Sequence, residues 1–205
     1  YLQIKLQESG YDTEIQEFIA EDLSLAGMGL TLNTAEPEEF IALPLDQSGL
    51  RVVTGILTPV GLAMPGDIPE DGLGGRIAFA KRGVITFQAK AENVFSAGAV
   101  GLVIYNNVSG LFRGVLTTQP EFPVISISRS DGEAIEGLLS ESEVEASIAL
   151  TLEDLPFRNV VAEKTGRGES VVVLGGHYDT VPGVSGANDN ASGIAVLLTI
   201  ARMLE

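Results

Sequence analysis

The stretch Val171–Leu204, VVVLGGHYDTVPGVSGANDNASGIAVLLTIARML, decides how this chain is read. It opens on a Val-rich apolar run, breaks at Gly175-Gly176, and then presents His177, Asp179 and Asp189. From Gly193 it closes on a long apolar segment interrupted only by Thr199 and Arg202. That order predicts a buried strand over Ser170–Gly175, a polar loop, and a core helix. In an open parallel sheet, ligands gather beyond the carboxyl ends of the strands, which is where His177 falls.

The residue types in that loop point to a metal. His177 is the chain's one histidine, and a neutral imidazole is a good zinc ligand. Asp179, two residues on, is placed to accept the proton on the other ring nitrogen and fix the tautomer. Asp189 has two carboxylate oxygens, enough to bridge two metal ions as two-metal hydrolases require. Gly186 and Gly193 let the backbone turn tightly around them. Taken singly, each motif is weak: Asp189-Asn190 alone reads as a turn leading into a helix cap.

Together, GGHYDT and GANDNASG resemble the co-catalytic di-zinc exopeptidases, the group of aminopeptidase Y and glutamate carboxypeptidase. The resemblance implies that His177 binds one zinc, that Asp189 bridges two, and that Asp179 supports the histidine. It also implies a cis peptide between Asp189 and Asn190. The reaction implied is metal-assisted peptide hydrolysis, in which a Glu base outside this chain shuttles the proton from water to the leaving amine. The family uses further acidic ligands and a final His, and this chain has no second histidine. Residues 1–205 alone are therefore expected to be inactive and to bind zinc poorly.

Composition bounds the rest. With 205 residues the chain holds one large or two small domains, and 24 glycines favour a turn-rich β or α/β protein over a helical bundle. A net charge of −16 disfavours nucleic acid and anionic membranes as partners. No apolar run reaches the roughly 18 residues of a membrane span. The absence of Cys excludes disulfides and thiol chemistry. The chain starts at Tyr1 without a Met, so a leader or more domain is expected upstream.

Leu2 and Leu6, with Gly10 behind them, read as a helix end, and Tyr11, Thr13, Ile15 and Ile19 as a strand. From about Leu30 the grammar becomes short strands between Gly/Pro turns: Phe40–Leu45, Leu50–Leu57, Arg76–Lys81, Val100–Tyr105 and Pro123–Ser128. A helix fits Phe87 to Ala97 with Phe87, Ala91, Val94 and Phe95 inward, and another follows Asp131 with Ala134, Ile135, Leu138 and Leu139 inward. Val144, Ala146, Ile148, Leu150 and Leu152 alternate as a half-buried strand. The run GRIAFAKRGVITFQAKAENVFSAGAVGLVIYNN, Gly75–Asn107, resembles the protease-associated domain, a small barrel or sandwich with flanking helices. Many relatives have Cys where Ile85 stands. Asn159–Ala162 then restarts the first domain as a strand, residues 164–168 turn, and the next strand delivers His177; those two strands could form a hairpin.

The expected architecture is thus α/β: a discontinuous, truncated zinc-exopeptidase domain with a mixed sheet, holding an inserted β-rich (α+β) protease-associated domain. The bounds read from sequence are 1–30 and 153–205 for the peptidase part and 31–152 for the insert. By resemblance the protein is a zinc-dependent, secreted or cell-surface exopeptidase acting on peptides, with aminopeptidase the leading activity. A carboxypeptidase or dipeptidase of the same family is the alternative, and a non-catalytic receptor-like relative the third. The insert reads as a lid or exosite that screens substrates, or as an inert packed domain. Lys81-Arg82 could dock a substrate carboxylate or simply be solvated. Asn107-Val108-Ser109 and Asn190-Ala191-Ser192 match glycosylation sequons.

Overall fold

Three short apolar runs, Ile77–Lys81, Gly101–Tyr105 and Val124–Ile127, are buried along almost their whole length. Such continuous burial is the mark of parallel strands covered on both faces. In the computed structural model, which describes residues 1–23, 29–166, 168–180 and 185–204, these runs are β6, β7 and β8. With β5 (Val52–Pro59) they form four consecutive parallel strands, β5-β6-β7-β8. Arg167 of the expected turn, residues 181–184 of the motif loop and Glu205 lie outside the described residues.

Antiparallel strands complete the sheet on both sides. β9 (Glu145–Ala149) pairs with β5 and with β2 (Gly29–Leu32), β2 pairs with β3 (Glu38–Phe40), and β4 (Leu43–Pro44) flanks β8. The order β3-β2-β9-β5-β6-β7-β8-β4 is linear, so among the described residues the strands form one eight-stranded mixed sheet, without the hydrogen-bonded closure of a barrel. The run Phe40–Leu45 accordingly splits into β3 and β4, which sit at opposite edges of the sheet. Side chains of the parallel strands alternate between two cores. Ile77, Phe79, Val103, Tyr105, Ile125 and Ile127 face one, together with Leu30, Ile148 and Ile135. Ala78, Ala80, Leu102, Ile104 and Val124 face the other, with Ala91 and Val94.

A helix covers each core. α2 (Phe87–Ser96) is capped by Thr86, whose hydroxyl accepts from the Ala89 amide at 3.1 Å; its crossover lets β6 and β7 run parallel. Its buried positions are Lys90, Ala91 and Val94, whereas Phe95, expected inside, is 51% exposed and stacks on Phe122. α3 (Arg129–Glu141) buries Gly132 and Ile135 and packs Leu139 on the same core, so two of the four expected inward positions hold, while Ala134 and Leu138 point outward. Its cap is Ser128, which accepts from the Asp131 amide, so the helix starts ahead of the expected Asp131.

Lys90 is fully buried. Its ammonium donates to the Leu62 carbonyl, while Asp67 in the same loop accepts from the Leu62 and Met64 amides at 3.0 and 3.1 Å. Burial pushes the Lys90 pKa below its ordinary value of 10.5, with the Asp67 charge opposing. Unfolded chain therefore keeps this proton at pH values where folded chain releases it. Lys90's contribution to stability is complete above 10.5 and is lost as pH falls through the lowered folded pKa. Lys90→Met is expected to flatten that rise of stability with pH, measured as urea midpoints at stepped pH between 7 and 10 against wild type.

The chain divides into two units, residues 21–155, which hold the eight-stranded sheet, and residues 1–20 with 156–205. In the latter, α1 (Leu2–Glu8) leads through Gly10, at φ +76, into β1 (Asp12–Leu23). β1 pairs with β10 (Leu152–Glu163). Gln16 meets Asn159, Glu17 meets Arg158 and Phe18 stacks on Phe157, a stepping in opposite directions that makes the pair antiparallel. β10 also takes in Leu152, which is 44% exposed and so ends the alternation one step early. Two strand expectations fail here. Ser170–Gly175 forms no ladder among the described residues, and Val171, Val172 and Val173 are 85, 82 and 85% exposed. With no strand at 170–175, the hairpin of that run with β10 is absent too among the described residues. The closing helix α4 (Ser192–Met203) forms and Tyr11 donates to its Ala201 carbonyl, but of this expected core helix only Ala201 is buried.

Candidate metal centre

Two backbone devices present the motif residues. Gly186, in the left-handed region at φ +65, opens a wide turn over Ala187–Ala191. Inside it Asp189 (φ −120, ψ 92) and Asn190 (φ −130, ψ 35) leave helical geometry before α4 begins. The Asp189–Asn190 peptide is cis. On the other side, Tyr178 donates to the Arg158 carbonyl at 2.8 Å and ties the His177 loop to β10.

His177 stands between the two carboxylates. Its Nε2 lies 3.2 Å from Asp189 Oδ1, and its Nδ1 lies 3.4 Å from Asp179 Oδ1 and 3.3 Å from the Asp179 carbonyl oxygen. The three residues singled out from sequence therefore come together, each ring nitrogen facing a different aspartate. The group is open to solvent, with His177 53% and Asp189 82% exposed.

Two donors on one tetrahedral zinc, each about 2.0–2.1 Å from the ion, sit roughly 3.3 Å apart. The His177–Asp189 spacing matches that separation, and Asp179 occupies the side from which a carboxylate orients a ligating imidazole. Among the described residues no set of three or more His, Asp and Glu side chains converges on a metal position. The residues present thus fit two corners of a zinc site.

Sequence reasoning passed over Asn190 and Tyr178. A Cβ at Gly193 would overlap the Asn190 Oδ1 and come within 2.9 Å of its Cγ, and one at Gly176 would meet Asn190 Nδ2 at 3.4 Å. The Asn190 side chain is therefore seated between two glycines. The signal for it was the DNxSG spacing itself, read only for its acid.

Residues 51–135 match the PA domain family, and residues 159–205 match peptidase family M28. The segment that carries the motif residues matches family M28. Its motif residues all lie within the M28 match, and the PA domain match falls inside the eight-stranded unit. Among its relatives, aminopeptidase YwaD of Bacillus subtilis is 32% identical over 95% of this chain and 42% of its own length. A probable lipoprotein aminopeptidase, LpqL, of Mycobacterium tuberculosis is 31% identical over 100% of this chain and 42% of its own. The solved zinc aminopeptidase BSAP from Bacillus subtilis superposes with a TM-score of 0.70 at 29% identity, covering 99% of this chain and 50% of that one. This chain thus spans half or less of the length of these relatives.

Proposed function

We propose that this chain carries part of the metal centre of a zinc-dependent aminopeptidase that removes N-terminal residues from peptides. The observation that carries the reading is the seating of His177 between Asp179 and Asp189, with the Nε2–Oδ1 distance of 3.2 Å that two ligands of one ion require. Relatives named as aminopeptidases over nearly the whole of this chain support it. His177 and Asp189 would hold the metal, with Asp189 the bridge between two zinc ions. Zinc, when bound, supplies Lewis-acid polarisation of the scissile carbonyl and activation of water. Asp179 holds the imidazole in one tautomer and raises its basicity. Tyr178 and Asn190 keep the two loops from drifting. No helix among the described residues is long and apolar enough to cross a membrane, and the lipoprotein name of one relative favours a secreted or cell-surface location.

The test is to incubate an unblocked peptide with the intact protein, with and without chelator, and identify products by mass. Stepwise loss from the amino end that stops with chelator is the expected result. Loss from the carboxyl end would replace the reading with a carboxypeptidase, and no cleavage by zinc-loaded protein would overturn it.

Gly193→Ala gives a separate check on how the turn works. The new methyl must displace the Asn190 side chain, and with it the neighbouring Asp189. Zinc affinity of the intact protein is expected to fall about 10–100-fold, the scale of a lost supporting contact, with circular dichroism unchanged. Equilibrium dialysis reads the first quantity directly.

A further inference from the structure

The PA unit has a groove of about 660 Å³ between the loop that leaves β6 and the segment 113–117. Its lining includes two arginines, Arg82 and Arg113, and no acidic side chain, in a chain of net charge −16. Neither arginine has a carboxylate within ion-pair distance among the described residues. Arg82 is held in place: its guanidinium lies 4.6 Å from the Phe112 ring centroid, and Nη1 donates to Asn106 Oδ1 at 3.0 Å. Phe87 and Phe112 stack beneath it at 5.4 Å. Gln88 fastens the far wall by accepting from the Thr117 and Thr118 amides at 2.9 and 3.1 Å.

Apolar surface sits beside those charges. Val84 and Val115, both in the lining, are 78 and 62% exposed. Val84 also has φ +63, a backbone conformation that a β-branched residue rarely adopts. A strained, outward-facing valine next to a fixed guanidinium is the kind of arrangement that persists where something is bound.

We propose that this groove docks the carboxyl terminus of a peptide, the terminal carboxylate pairing with Arg82 and Arg113 and the last side chain lying on Val84 and Val115. A terminal residue carries its carboxylate and its side chain on one α-carbon, which matches charge and apolar surface placed side by side. Planar guanidinium forks suit carboxylates and hold them bidentately. The site is independent of the His177 centre, and binding can be read with no metal present, so either reading can fail without the other.

The test is fluorescence anisotropy on the 205-residue chain with a BODIPY-labelled Gly-Ser-Ala-Leu peptide in metal-free buffer. The expected result is saturable binding that weakens with salt, and at least about tenfold weaker binding of the C-terminal amide, for loss of a charge-assisted pair. Arg113→Gln, an exposed position that leaves the ring stack intact, should weaken binding similarly, while Arg129→Gln on α3 should not. Equal binding of the amide, equal binding by Arg113→Gln, or the same loss with Arg129→Gln would each overturn the proposal. So would no binding at all up to about 1 mM, an affinity worth only about 4 kcal/mol. Binding of an amidated Gly-Glu-Ala-Leu peptide as tight as the free-acid probe would assign the groove to acidic side chains instead and overturn the terminal assignment.

Discussion

Asp189→Asn is expected to abolish activity of the intact protein, lowering kcat/KM at least about a thousandfold, or roughly 4 kcal/mol of transition-state stabilisation at 1.36 per decade. The amide keeps the shape of the turn and one oxygen but removes the negative charge and one of the two acceptor atoms. A bridging ligand needs both oxygens, so bound zinc should fall with the activity. Asp179→Asn makes the contrast. Its carboxylate lies 3.4 Å from His177 Nδ1, the ring nitrogen other than the one that faces Asp189. Removing its charge loosens the imidazole without removing a ligand, and a loss of about 10–100-fold is expected. The pair is measured by metal analysis beside peptide-hydrolysis kinetics. Asp189→Asn protein that keeps full zinc content, or an Asp179 effect as large as that of Asp189, would reverse the two assignments.

The motif residues were legible because their chemistry is local: His177 and Asp179 are two apart, and the Gly186–Gly193 turn carries its own acid and its own glycines. Pairing across the chain was not. β9 sits between β2 and β5, and β1 pairs with β10 about 140 residues away. Alternation fixes which face a residue uses but never which strand lies beside it. The run at 171–174 fails for a related reason. Apolarity there announces burial, yet an apolar run becomes a strand only when another backbone pairs with it, and none does among the described residues. Lys90 errs the other way. A lysine in a helical pattern is assigned to solvent by default, and only the Leu62 carbonyl, brought near by the loop after β5, lets it lie inside. Phe95 was exchanged for it. Ala91 and Val94 stay inside, so the buried stripe of α2 turns by only about a tenth of a turn.

Gly132→Ala is expected to cost the PA unit about 3 kcal/mol, the upper part of the range for overpacking. A Cβ at Gly132 would fall on the Cβ and Cγ of Tyr105 and within 2.6 Å of its Cδ2. The Tyr105 Cβ is fixed by β7, so it has no rotamer by which to retreat. Its ring is also held, stacked on Phe79 at 5.2 Å and donating its hydroxyl to Glu136 at 2.6 Å. Burial first, then the hydrogen bond and charge of Glu136, raise the Tyr105 pKa, which keeps the phenol protonated and the donor in place. The helix must therefore lift, and in lifting it exposes Ile135, which lies in the core. Thermal unfolding is expected to fall by about 10 °C for a unit of this size. Gly137 in the same helix has open space where its Cβ would be, and there alanine should stabilise by up to about 1 kcal/mol through helix propensity alone. Opposite signs from one substitution type on one helix separate close packing from propensity. If Gly132→Ala proved as stable as Gly137→Ala, α3 would not rest on Tyr105 at all.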